Sequence, residues 1–243
     1  MFWFKKKELH IDCFTAHSAA YNLFKIEKAN KFIPEWWKKI ETTAVINPKH
    51  PFPGATIKRC RGFIDLYRHG LVLPAWSDFL LNVGREDFVW QWADQSTELV
   101  IHSEASRGEY LNWPWVNCKI VVPWAFACKE DIPWMFSPIL WNTNKPIDIV
   151  MPTGIVDYKY QHAVNINFFF EHRKNPYTLG FDAGQPLVHM VPLTDRKLVI
   201  HNHLVSKEEF NRHYLPYGSF SFVDTYNKIK RIVNKDAKCP FHQ

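Results

Sequence analysis

Residues 159–171 read KYQHAVNINFFFE, a run in which side-chain character alternates with period two. Tyr160, His162, Val164, Ile166, Phe168 and Phe170 fall on one face, and Gln161, Ala163, Asn165, Asn167, Phe169 and Glu171 on the other. Successive side chains of a strand point to opposite sides, so this run predicts a β-strand with one face on a core and the other in polar surroundings. It is the centre of residues 145–205, which read as strands joined by tight turns.

Working outward, residues 8–16 (ELHIDCFTA) alternate in the same way and predict an opening strand. Pro34 starts a short helix over 34–40, because a missing N–H costs nothing in a first turn. Residues 58–69 predict a helix closed by Gly70 in the left-handed position. LVLPAWSDFLLNV (71–83) reads as strand interrupted at Pro74. DFVWQWA (87–93) reads as a strand with residues 98–102 as its partner, and residues 119–141 as a hairpin turning at 129–132. A second hairpin through 194–197 pairs Leu193 with Leu198, Val191 with Ile200 and His189 with Asn202. Ser206 and Glu209 form a capping box for a short helix, and a further helix with a basic outer side is expected over about 221–234. The expected fold is mainly β: a β-sandwich or a distorted jelly-roll or β-clip-like barrel. It has short helices in its N-terminal half, with residues 1–205 as one domain and 206–243 as a helical extension with a basic tail.

Hydrophobic residues make up 47% of the 243 and aromatics 16%, enough for a large core built on strands. The net charge of +6 is scattered except at 5–7 and 228–238. A solvated surface is expected, with the tail leaving nucleic acid as a secondary partner. Five cysteines without a C-x-x-C pair point to a reducing, cytosolic-type compartment. No stretch approaches the roughly 20 apolar residues of a membrane span. The expectation is a soluble protein without a membrane partner.

Three groups of residues carry candidate chemistry. Gly154-Ile-Val-Asp157-Tyr-Lys-Tyr160 and the later Gly184-Gln-Pro-Leu-Val-His189-Met resemble the G-x-[IV]-D-x-x-Y turn and following strand of the dUTPase and dCTP deaminase superfamily. That resemblance implies that Asp157 contacts a deoxyribose or an attacking water and that Tyr160 packs beneath the sugar. It does not extend to the family's Arg-Ser-Gly loop, its Gln (here His189) or its Gly-rich arm, so triphosphate hydrolysis has little electrostatic support. Second, His201-x-His203 puts two imidazoles on one strand face, a spacing that metal sites use. His162 is the expected third ligand in a jelly-roll or cupin-like site for a divalent ion such as iron, with His189 a weaker candidate. His10-Ile-Asp12 has the H-x-[DE] pattern of 2-oxoglutarate oxygenases. Third, Trp113 and Trp115 with Tyr110 form an aromatic cluster suited to carbohydrate stacking or a protein contact.

Across residues 12–205 the chain, through FIPEWWKKI, CRGFIDLYRHG, LPAWSDF, KYQHAVNINFFF and IHNHLV, resembles uncharacterised proteins of large tailed phages infecting marine bacteria. The resemblance implies expression in the host cytoplasm, is compatible with a place in the virion, and points to protein partners, either self or phage components. The leading expectation is a non-catalytic binding or assembly protein. The alternatives are a metal-dependent oxygenase and a nucleotide-binding protein acting through Asp157 and Tyr160.

Overall fold

A computed structural model describes residues 8–45, 49, 52–94, 99–101, 115–142, 149–214 and 230–231. The strands, in chain order, begin with β1 (Leu9–Thr15), β2 (Glu27–Lys28), β3 (Thr43–Ala44), β4 (Gly54–Ala55) and β5 (Leu71–Pro74). Next come β6 (Phe79–Val83), β7 (Phe88–Trp92), β8 (Leu99–Ile101), β9 (Trp115–Ala127) and β10 (Pro133–Pro138). The last are β11 (Gly154–Asp157), β12 (Ala163–Glu171), β13 (Tyr177–Phe181), β14 (Pro186–Pro192) and β15 (Leu198–Leu204). The helices are α1 (Ser18–Leu23), α2 (Glu35–Lys39), α3 (Arg61–Arg68) and α4 (Lys207–Tyr214).

The protein is mainly β, and among the described residues no sheet closes into a barrel. One sheet has the order β12-β9-β1-β15, with β8 added to β9; a second runs β11-β10-β14-β5-β2. A three-stranded sheet, β13-β6-β7, and the short pair β3-β4 complete the set. Ile11, Ile120, Trp124, Phe126, Ile166 and Phe168 from the first sheet share one buried cluster with Leu73, Trp134, Val188 and Met190 from the second. Tyr158 ties the layers together, its ring 5.4 Å from Phe126 and 5.6 Å from Trp134. Phe79 of the third sheet meets Phe168 edge to face at 6.4 Å and so plugs one flank of the core.

The alternation of residues 163–171 is realised as expected: Val164, Ile166, Phe168 and Phe170 are buried, while Asn165, Asn167, Phe169 and Glu171 are half-buried. It does not reach back to residue 159. Lys159–Tyr160 lie in a turn, and the register slips between Ala163 and Asn165. His162 is therefore not on the core face. The opening strand, the Pro34 helix start, the helix before Gly70 and the Ser206 cap all form; Glu209 N–H donates to Ser206 Oγ at 3.1 Å. Pro74 divides 71–83 into two strands that belong to different sheets.

The pairings expected from proximity in sequence are corrected. β7 pairs with β6, and β8 pairs with β9. β9 and β10, read as one hairpin, lie in opposite sheets, as do β14 and β15. β15 runs parallel to β1, with Asp12 opposite His201. The connections 128–132, 158–162 and 193–197 all have the same length and all cross from one sheet to the other. A strand whose apolar face is already committed to the core can bury its successor's apolar face by folding over the core edge, without pairing to it. The three connections gather at one end and are bonded to each other. Cys128 N–H donates to the Tyr158 carbonyl at 3.1 Å, and Arg196 clasps Glu130 through both nitrogens of its fork.

The expected second helix falls on residues of which only 230 and 231 are described, both helical. The loop expected over 47–54 also lies partly outside the described residues. Among the described residues no helix is long and apolar enough to cross a membrane.

Candidate functional site

The polar face of β12 is the floor of a groove of about 460 Å³. Asn167 pairs with Lys119 and Phe169 with Asn117 across the antiparallel ladder, and residues directly opposite share a face. Asn117, Lys119, Asn165 and Asn167 therefore stand together. At one end Val150 exchanges two backbone hydrogen bonds with Phe169, at 2.9 and 2.8 Å. Pro152 cannot extend that ladder because it has no N–H. The chain veers away through Thr153 and Gly154 into β11, leaving a gap between the edge strands of the two sheets. Gln161, on the connection between those edges, closes the other end.

The lining is unusual in its chemistry. Four carboxamides (Asn117, Gln161, Asn165, Asn167) and the Thr153 hydroxyl offer both donors and acceptors, Phe136 and Phe169 offer rings, and Lys119 is the single charged side chain among the lining residues. Asn117 is 7% exposed, so one of these amides belongs to the wall itself. A Cβ placed on Gly154 would meet nothing within 4 Å. The alternation 154, 156 versus 155, 157 along β11 turns Gly154 and Val156 toward the groove and Asp157 away from it.

Asp157 and Tyr160, singled out in the sequence, do come together, through Asp131, which the sequence did not single out. Tyr160 is fully buried and its hydroxyl donates to Asp131 Oδ2 at 3.0 Å. Asp157 Oδ1 accepts the Lys159 N–H at 3.0 Å, and its carboxyl is hydrogen-bonded to that of Asp131. Burial, and then the hydrogen bond and the charge of neighbouring Asp131, raise Asp157 to about 6, while the hydrogen bonds from Asp157 and Tyr160 hold Asp131 below the ordinary range. The ring of Tyr160 has Lys159 Nζ at 5.2 Å and Lys230 Nζ at 5.3 Å from its centre. β11 pairs with β10 and not with β12, so the 154–160 segment leads into a crossing between sheets, not into a hairpin.

The histidines separate. His189 is buried on β14 with its Nε2 at 2.9 Å from the His69 carbonyl oxygen, a satisfied core position whose charging burial opposes. His162 lies beside His213 of α4, ring centres 6.3 Å apart; burial and the His213 charge lower it to about 4. His201 and His203 do share a face, and their partners are His10 and Asp12 on β1. His10 Nδ1 is 3.0 Å from His201 Nε2, and His203 Nε2 is 2.8 Å from Asp12 Oδ1. As these side chains stand, no three His, Cys, Asp or Glu groups among the described residues converge on one point. The H-x-D pattern was legible in the sequence; its place beside H-x-H was not.

Trp113 and Tyr110 lie outside the described residues. Trp115 opens β9, half-buried and opposite Glu171. Cys13, Cys118 and Cys128 are buried free thiols, with Cys118 pushed to about 12 by burial, while Cys60 is exposed. No protein-family profile, curated protein or solved structure matches the chain.

Proposed function

We propose that this is a non-catalytic binding protein whose ligand occupies the amide-lined groove between β11 and β12. The supporting observation is the concentration of four carboxamides and two phenyl rings around a space in the size range of small-ligand sites. Carboxamides pair a donor with an acceptor and match the edges of a neutral ring heterocycle, and phenyl rings give its faces something to stack on. A nucleoside fits that description. A triphosphate fits it poorly, since Lys119 alone would meet the charge. The Asp131–Asp157 pair is not part of the groove lining and joins two inter-sheet connections. These features favour holding a ligand over transforming it. The resemblance to phage proteins is compatible with such binding in an infected cell and with protein partners of the same origin.

The test is calorimetry and thermal shift on the full chain with the four deoxynucleosides, the corresponding triphosphates and neutral monosaccharides. Binding of at least one deoxynucleoside, abolished by Gly154→Leu, is the expected result, since a side chain at that position enters open groove. No binding of any deoxynucleoside, or binding that Gly154→Leu leaves unchanged, overturns the assignment.

A further inference from the structure

The outward face of the first sheet carries four side chains able to ligate metals, in one block. Leu9, Ile11 and Cys13 are fully buried, so His10, Asp12 and Phe14 point the other way along β1. β15 runs alongside in parallel, with Asp12 directly opposite His201 and Phe14 opposite His203. An i, i+2 pair of His and Asp thus stands beside an i, i+2 pair of His and His. Phe14 stacks on His203 at 4.9 Å and on His213 at 4.1 Å, which bounds the block at one end. His10 is exposed, which leaves the other end open to solvent.

We propose that His10, Asp12 and His201 form a binding site for a divalent first-row transition ion, with His203 as the group that orients Asp12. Two imidazoles and one carboxylate are a donor set such ions accept, with water filling the remaining positions. Two nitrogens each roughly 2.0–2.1 Å from a tetrahedral ion lie about 3.3 Å apart. His10 Nδ1 and His201 Nε2 are 3.0 Å apart, so small pivots of the two rings admit an ion where they now share a proton. Asp12 has Oδ1 on His203 and stands directly opposite His201 in the register, so a turn of its carboxyl would bring an oxygen to the ion. Ligating carboxylates of metal centres are themselves hydrogen-bonded by neighbouring groups, the part His203 takes here. The pairing now seen, two hydrogen bonds among four ligating side chains, is the form this block takes with protons in place of the ion. The site stands on β1 and β15, shares no residue with the groove on β9, β11 and β12, and does not depend on it.

The test uses the full chain purified without a histidine tag, titrated with zinc and nickel chloride by calorimetry and followed by thermal shift. Saturable uptake of one ion per chain with a raised melting temperature is expected. The double variant His10→Ala/His201→Ala should weaken it by about 100-fold and Asp12→Asn by about 10-fold. His203→Ala should weaken it less than Asp12→Asn, and His189→Ala should leave it unchanged. No saturable uptake by the full chain at about 100 μM metal, or equal affinity in the double variant with its circular dichroism intact, overturns the proposal.

Discussion

Tyr160 donates its hydroxyl to Asp131 at 3.0 Å, and so bonds the connection that follows β11 to the one that follows β9. Asp157 completes the junction through the hydrogen bond between its carboxyl and that of Asp131. The polar atoms that look most like catalytic equipment in the sequence are the ones that hold adjacent chain crossings in register.

That junction sets a pH dependence. Asp157 is raised to about 6 in the fold, above the roughly 3.9 of an unfolded aspartate. Its protonated form stabilises the fold, so its contribution is fully present below about 4 and is lost as pH rises through about 6. Asp131, held low, works in the opposite sense: its contribution is present above its unfolded value and is lost as pH falls below it. Asp157→Asn should therefore stabilise the protein at pH 7.5, by about 1 kcal/mol once solvent screening is allowed for, and be neutral near pH 4. Urea unfolding at the two pH values checks this; equal effects at both would refute it.

Gly70 has φ +86°, and a Cβ there would lie 2.4 Å from the Met190 carbonyl oxygen and 3.1 Å from His189 Nε2. Gly70→Ala combines left-handed strain with a backbone clash, and should cost upwards of about 2 kcal/mol in denaturant titration. Gly154→Ala, with neither problem, should change stability by less than about 1 kcal/mol.

Phe168 and Phe169 are neighbours with opposite duties. Phe168 is fully buried, so Phe168→Ala should cost about 3–5 kcal/mol. Phe169 faces the groove, and Phe169→Ala should cost less stability while weakening the deoxynucleoside binding proposed above. A larger stability loss at 169 than at 168 would contradict the assigned faces.

Asn167→Leu keeps the side chain's approximate size and removes its donor and acceptor. Little change in melting temperature, with at least a tenfold loss of nucleoside affinity, is expected from the loss of one ligand hydrogen bond in a sheltered site. Calorimetry on the variant decides it.

Arg196 joins the 193–197 connection to Glu130 by both its terminal nitrogens and to the Glu8 carbonyl. Lysine cannot reproduce that fork, so Arg196→Lys should destabilise by about 1–2 kcal/mol. Thermal unfolding at low and moderate salt measures it.

The sequence by itself determined what depends on neighbours in the chain. Period-two alternation marked β1 and β12, Pro34 and Ser206 marked helix starts, and Gly70 marked a stop, because side-chain direction, a missing N–H and a positive φ act within a few residues. Only the tertiary structure decided which strands pair. The five-residue links after β9, β11 and β14 are long enough for a hairpin or for a crossing between sheets, and the choice lies in how apolar faces on distant segments fill one core. The same is true of the candidate sites. Four amides and a lysine became a groove, and His10 with Asp12 met His201 with His203, because sheet order brought together residues up to 191 positions apart. Distance along a chain carries no record of such meetings; the shared burial of two faces does.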